Sequence, residues 1–168
     1  MRRSLTLLSL ALLLAACSSH DSAKEATAAP AKTALPAKLD CANILPDALR
    51  TKYLAGVQIV DHPESVAFVG ECSFAAADGS LGTVTVSCSG SAKMSIEPSI
   101  AMLKKTTNGA TDLPGVGRGA VTAPGSSPGA TFVTAWDDDS NCSAILMLPK
   151  GVDAVAFAKD LLAYLPPK

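Results

Sequence analysis

Five cysteines carry the most chemical information in this chain: Cys17, Cys41, Cys72, Cys88 and Cys142. A cysteine can act as a thiolate nucleophile, bind a soft metal or pair with a second sulfur. Metal binding fits poorly, because no C-x2-C pair occurs and the intervals between cysteines are long. Setting Cys17 aside leaves four, an even number suited to two disulfides in an oxidising compartment. Four cysteines allow three connectivities. The placement of elements described below favours Cys41–Cys72 and Cys88–Cys142, although sequence does not strictly choose among the three. Cysteines that are all oxidised leave no thiol for a Cys–His nucleophile.

Other groupings invite chemistry and do not complete it. Asp137, Asp139 and Asn141 alternate like the first ligands of a calcium loop. The sixth position of such a loop should be Gly and is Cys142; the twelfth should be Glu and is Leu148. A polar hairpin tip accounts for the same residues. The run Leu113-Pro114-Gly115-Val116-Gly117-Arg118-Gly119 resembles a phosphate cradle in composition. A dinucleotide loop, however, follows a strand and opens a helix, whereas this one follows a helix and opens a strand; a Walker lysine is also missing. The reading is a tight connection that needs positive φ. His62 is the only histidine after His20, so neither a two-histidine metal site nor a relay beyond it can form. It precedes Pro63 in a turn and reads as a surface residue. A Ser–His–acid hydrolase would have to use His62 with a serine lacking the G-x-S-x-G elbow. Trp136, the lone tryptophan, reads as a hairpin-end core or rim residue. No catalytic, cofactor-binding or metal-binding residue is assigned.

The elements that position these residues follow from periodicity. Leu45, Leu49 and Tyr53 recur at helical spacing, with Pro46 as first helical residue and Gly56 as stop. Val57 to Val60 reads as a short strand and Asp61 to Glu64 as a turn. Val66, Phe68, Cys72 and Phe74 share one face of the next strand. After the Asp78-Gly79 turn, Val84, Val86 and Cys88 alternate with Thr83, Thr85 and Ser87 in period two. A helix from about Glu97 to Thr106 carries Ile96, Ile100 and Leu103 on one stripe, and Asn108-Gly109 stops it. The second half repeats the order: a strand near Ala120 to Thr122, a loose turn over 124–129, then a hairpin of Ala130 to Trp136 and Cys142 to Leu148. Asp153 caps a last helix whose apolar face is Ala154, Phe157, Ala158, Leu161, Leu162 and Leu165; Pro166-Pro167 ends it. Strands followed by a helix, twice over, predict an α+β domain over 39–168, an antiparallel sheet with helices packed on it and two disulfides. A chain of that length buries roughly two-thirds of its unfolded surface, so the disulfides reinforce a core.

The N-terminal segment is of another kind. Met1-Arg2-Arg3 is followed by an apolar run from Leu5 to Leu14. About ten residues are too few to span a bilayer, which needs about 20, and they fit the central region of a signal peptide. The run ends in Leu14-Ala15-Ala16-Cys17, which resembles the lipobox of bacterial lipoproteins. That resemblance implies cleavage after Ala16, a diacylglycerol thioether on Cys17 and acylation of the new amino group. A single acyl chain holds only marginally, at about 0.8 kcal/mol per buried methylene, so two or three chains make the attachment effectively permanent. Ser18 and Ser19 follow, without the Asp that by the same resemblance retains lipoproteins in the inner membrane. The expected location is therefore the outer membrane of a Gram-negative host, and otherwise the outer face of the plasma membrane. Residues 17–38 form the lipidated cysteine and a tether of Ala, Ser, Thr, Lys and Pro, spanning about 25 Å root-mean-square.

Removing residues 1–16 leaves 12 basic against 15 acidic residues, a net charge of −3. That balance supplies no basic patch for nucleic acid. Aromatic residues are only 4% of the chain, too few for an aromatic-lined groove. Cys41 ahead of Ile44-Leu45-Pro46, Cys72-Ser73-Phe74 and the loop Pro114 to Ala120 together resemble small cysteine-paired envelope lipoproteins common in actinobacteria, over about residues 40–145. An indole often follows the second cysteine in that group; Phe74 stands there instead. The likeness supports the fold and supplies no activity. The expected function is a non-enzymatic envelope lipoprotein, needing no cofactor, that binds an envelope protein or a small ligand. A hydrolase built on His62 and a purely structural envelope component are the alternatives.

Overall fold

The computed structural model describes residues 39–61, 69–76, 78–88 and 95–165. The export segment, Cys17, the tether, His62, Val66, Phe68 and Pro166-Pro167 lie outside these residues.

The chain enters through two short helices, α1 (Cys41–Ile44) and α2 (Asp47–Tyr53). A single helix beginning at Pro46 was expected. Instead Pro46 is extended, at φ −60° and ψ 154°, and serves as the N-cap of α2. The turn before it becomes helical because the Asp40 carboxylate accepts the Asn43 N–H at 3.0 Å, satisfying a donor that the helix leaves orphaned. Cys41 therefore opens a helix rather than preceding one.

Seven strands follow: β1 (Gln58–Asp61), β2 (Val69–Ala75), β3 (Leu81–Cys88), β4 (Thr111–Asp112), β5 (Gly119–Pro124), β6 (Thr131–Trp136) and β7 (Cys142–Leu148). Helix α3 (Glu97–Thr106) lies between β3 and β4, and α4 (Ala154–Tyr164) closes the chain. The strands form one sheet, every pair antiparallel, in the order β1-β2-β3-β7-β6-β5-β4. Two meanders thus meet at β3 and β7. The expected arrangement holds in coarse form, as an antiparallel sheet with helices and two disulfides. The sheet is the larger part: seven strands against four helices among the described residues. The two-residue β4 had no signal in the sequence.

Alternation explains the layering. In β3, Val84, Val86 and Cys88 are buried, and the register sets them opposite Leu146, Ala144 and Cys142 of β7. Cross-strand partners share a face, so these side chains build one apolar layer. Phe74 of β2 joins it over Gly82, whose missing side chain makes room for the ring. Helix α4 covers the layer with Phe157, Ala158, Leu161 and Leu162, all buried, as its 3.6-residue stripe required. The Asp153 carboxylate caps it, accepting from Val155 N and Ala156 N. Each fully buried Leu or Phe contributes about 1.5–3 kcal/mol.

Helix α3 takes the other face. A Cβ at Gly119 of β5 would lie 2.6 Å from Ile96 Cδ1 and 3.0 Å from Ile100 Cδ1, so this glycine lets the helix approach. Ile96 is buried there and Val121 is fully enclosed. The stripe of α3 is shallower than expected, since none of its ten residues is fully buried and Met102 is 66% exposed.

Candidate functional site at the loop end of the sheet

The residues singled out from sequence gather where β5 begins and β6 ends. Gly119 pairs with Trp136 in register, and Arg118 N donates to Trp136 O at 3.0 Å. The tip over 137–141 folds back beside them. Asp137 N donates to Cys142 O at 3.0 Å, and Cys142 N donates to Ser140 Oγ at 3.1 Å. The glycine run packs against this tip. Gly115 and Gly117 have φ of 73° and 51°, the left-handed conformation that L side chains disfavour. Position 117 also tolerates no Cβ, which would collide with Trp136 O and lie 2.9 Å from Leu162 Cδ1. The run is thus the tight connection that its composition implied, leading into β5.

A cleft of about 300 Å³ separates the run from the tip. Gly115 and Gly117 form one wall and Asp137, Asp138 and Asp139 the other, with Lys159, Leu162 and Ala163 of α4 as floor and rim. Asp137 is buried at 3% exposure, whereas Asp138, Asp139 and Lys159 are exposed. A second cleft of about 240 Å³ lies across the run, lined by Ile100 of α3, Pro114 and Arg118. Carboxylates facing an ammonium across a glycine wall can hold a polar, charged ligand by hydrogen bonds. Among the described residues, no group of three or more His, Cys, Asp or Glu side chains is placed to hold a metal ion. The calcium-like alternation of Asp137, Asp139 and Asn141 belongs to a hairpin tip whose first member is turned inward.

A second polar constellation went unnoticed in the sequence. Lys52 Nζ and Tyr53 Oη both donate to Asp160 Oδ2, each at 2.7 Å, tying α2 to α4. The Tyr53 ring meets Phe157 edge-on, with centroids 5.2 Å apart and planes at 69°. The hydrogen bonds from Lys52 and Tyr53 hold the Asp160 carboxyl below its ordinary value. The hydrogen bond to Asp160 raises Lys52, and burial raises the Tyr53 phenol. Every shift fixes a group in its ordinary neutral-pH state: carboxylate, ammonium, phenol. One carboxylate of α4 accepts from two side chains of α2, so this trio is a clamp between helices. Tyr53 was legible on its apolar stripe. Its partner, more than a hundred residues away, had no sequence signal.

The cysteines of the described residues are joined as Cys41–Cys72 and Cys88–Cys142, with Cα–Cα distances of 5.2 and 4.0 Å. This is the favoured pairing, and Cys88 faces Cys142 directly in the β3–β7 register. Trp136 is half-buried at the end of β6, between core and rim. No protein-family model, curated protein or solved structure matches the chain.

Proposed function

We propose that the chain is an exported, lipid-anchored envelope lipoprotein whose 39–168 unit is a non-enzymatic binding or interaction module. The observation that carries this reading is the pair of buried disulfides. Such bonds persist in oxidising compartments outside the cytoplasm, and the chain opens on a segment that reads as an export signal ending in Leu14-Ala15-Ala16-Cys17. A diacylglyceryl group on Cys17 then holds the protein at the membrane. In a host with an outer membrane it is anchored in that membrane; otherwise it stands on the outer face of the plasma membrane. The net charge of −3 left after removal of residues 1–16 argues against nucleic acid as the partner.

Two observations support binding over catalysis. All four cysteines after Cys17 are consumed in disulfides, so none supplies a thiolate. The polar ends of the Lys52–Tyr53–Asp160 trio are spent on one another in joining α2 to α4. The polar cleft between the glycine run and the 137–141 tip offers a place for an envelope protein loop or a small polar ligand. The anchor is tested by Cys17→Ser in a bacterial host: acyl labelling should vanish, and precursor or released protein should accumulate. Unchanged detergent partitioning with an unchanged N-terminal mass would refute it. The interaction is tested by crosslinking in the native envelope. An Asp138→Lys/Asp139→Lys chain that captures the same partners at the same yield would remove the cleft from the proposal.

A further inference from the structure

The first disulfide stands where the chain enters the fold. Leu39 is buried at 4% exposure. It rests on β2, since a Cβ at Gly70 would lie 2.5 Å from Leu39 O and 2.7 Å from Leu39 Cβ. Two residues later, Cys41 is bonded to Cys72. Cys72 is in the middle of β2, opposite Asp61 of β1 and Val84 of β3, in a strand hydrogen-bonded on both sides. Between the two cysteines run α1, α2 and β1, which touch the rest of the protein through Ile44, Leu45, Leu49, Leu54, the Lys52–Asp160 clamp and the four-residue pairing of β1 with β2.

We propose that the Cys41–Cys72 bond is a mechanical latch: tension arriving along the N-terminal tether passes through it into β2 and bypasses α1, α2 and β1. Tension on residue 39 without the bond would meet a four-residue helix first and peel the arm away, one contact after another. With the bond, residues 42–71 form a closed covalent loop that carries no tension. The pull enters β2 at Cys72, opposite Val84, so it falls on the pairs that Cys72 to Ala75 make with Val84 to Leu81 of β3. The second bond extends the path. Chain tension that reaches Cys88 crosses to Cys142, so the segment 89–141, with α3 and the glycine run, is also relieved. The glycine run and the 137–141 tip therefore bear no chain tension, whereas Lys159, Leu162 and Ala163 of α4 lie beyond Cys142 and do. This inference takes the source of tension from the anchored reading; the latch itself can be read on the isolated chain.

The test is single-molecule extension of the oxidised mature chain between a handle attached at residue 17 and one fused after Lys168. Unfolding of Cys41→Ala/Cys72→Ala should release about 100 Å more contour than the parent. That figure follows from the 31-residue separation of the cysteines at about 3.5 Å per residue. The variant should also show an added early rupture as the arm peels. Rupture of the variant at the parent's force, with no early event, would overturn the latch. Leu49→Ala in the oxidised parent keeps the idea exposed even if the double variant fails to fold. It removes a core contact of α2, so it should lower the melting temperature yet leave the rupture force unchanged. A drop in rupture force would show that tension runs through the arm and would end the proposal. Either result is independent of acyl labelling at Cys17, so failure of the latch and failure of the anchor are told apart.

Discussion

The two faces of the sheet are built on different terms. On one, Val84, Val86, Ala144 and Leu146 alternate inward and are sealed by α1, α2 and α4 to exposures of 0–1%. On the other, Thr83, Thr85, Ser87 and Ser143 alternate outward. Among the described residues, helix α3 packs on that face over β5, and Thr134 of β6 is buried there too. Ile145 there is 45% exposed and lies in register with Thr85 and Thr134. The larger buried cluster lies on the first face; on the second, burial is concentrated around Ile96, Val121 and Thr134, and Ile145 is left half exposed. Both disulfides serve the first face, because Cys72, Cys88 and Cys142 are all members of its buried cluster.

Leu146 and Ile145, neighbours in β7, make this contrast measurable. Leu146→Ala removes a fully buried side chain and leaves a cavity, so it should destabilise by about 2–5 kcal/mol. Equilibrium urea unfolding would read this as a lower midpoint with the same slope. A loss under 1 kcal/mol would mean that the layer under α4 is not close-packed.

The helix clamp should give an effect of intermediate size. Tyr53→Phe keeps the ring on Phe157 and deletes one hydrogen bond to a partly exposed carboxylate, at a cost of about 1 kcal/mol at neutral pH. The cost should depend on pH. Folding lowers the Asp160 carboxyl below its ordinary value, so its contribution is complete above about 4 and fades as pH falls through the folded value. Folding raises Lys52 above its ordinary 10.5, so the Lys52 contribution is complete below that value and fades as pH rises through the folded one. The difference between wild type and Tyr53→Phe should therefore shrink from pH 7 to pH 3. An equal difference at both pH values would show that the hydroxyl acts through packing rather than through the carboxylate.

What could be read in advance follows from how local the deciding physics is. The start and the stripe of α4 were legible, because the Asp153 cap and the apolar positions from Ala154 to Leu162 are encoded locally; Leu165, expected on the helix, is its extended C-cap. The Cys88–Cys142 bond was favoured among three connectivities because each cysteine falls on the apolar face of an inferred strand, and the structure has it. Helix α1 was missed: it depends on one carboxylate reaching one amide, and Pro46 looked like a start when it is a boundary. The polar cleft was visible only as separate parts, a glycine run and an acidic tip. Their meeting is set by the β5–β6 register, and Lys159 arrives from α4, more than twenty residues further on. The Lys52–Tyr53–Asp160 clamp was illegible for the same reason.

The smallest effect is the sharpest test of the contrast between faces. Ile145→Thr retains a β-branched residue, so its backbone preference for a strand is nearly unchanged. It would extend the run of hydroxyls already set by Thr85 and Thr134 on either side. The side chain is almost half exposed in the wild type, so little apolar area returns to water. The expected change in stability is within about 0.5 kcal/mol, the range of ordinary surface substitutions. A one-residue slip of β7 would exchange the roles of positions 145 and 146. Ile145→Thr would then be costly and Leu146→Ala mild. Measuring both substitutions in one unfolding series therefore checks the register of β7 as well as the burial of its two faces. A loss above 2 kcal/mol at position 145 would show that something covers the threonine face and would make that cover the next element to find.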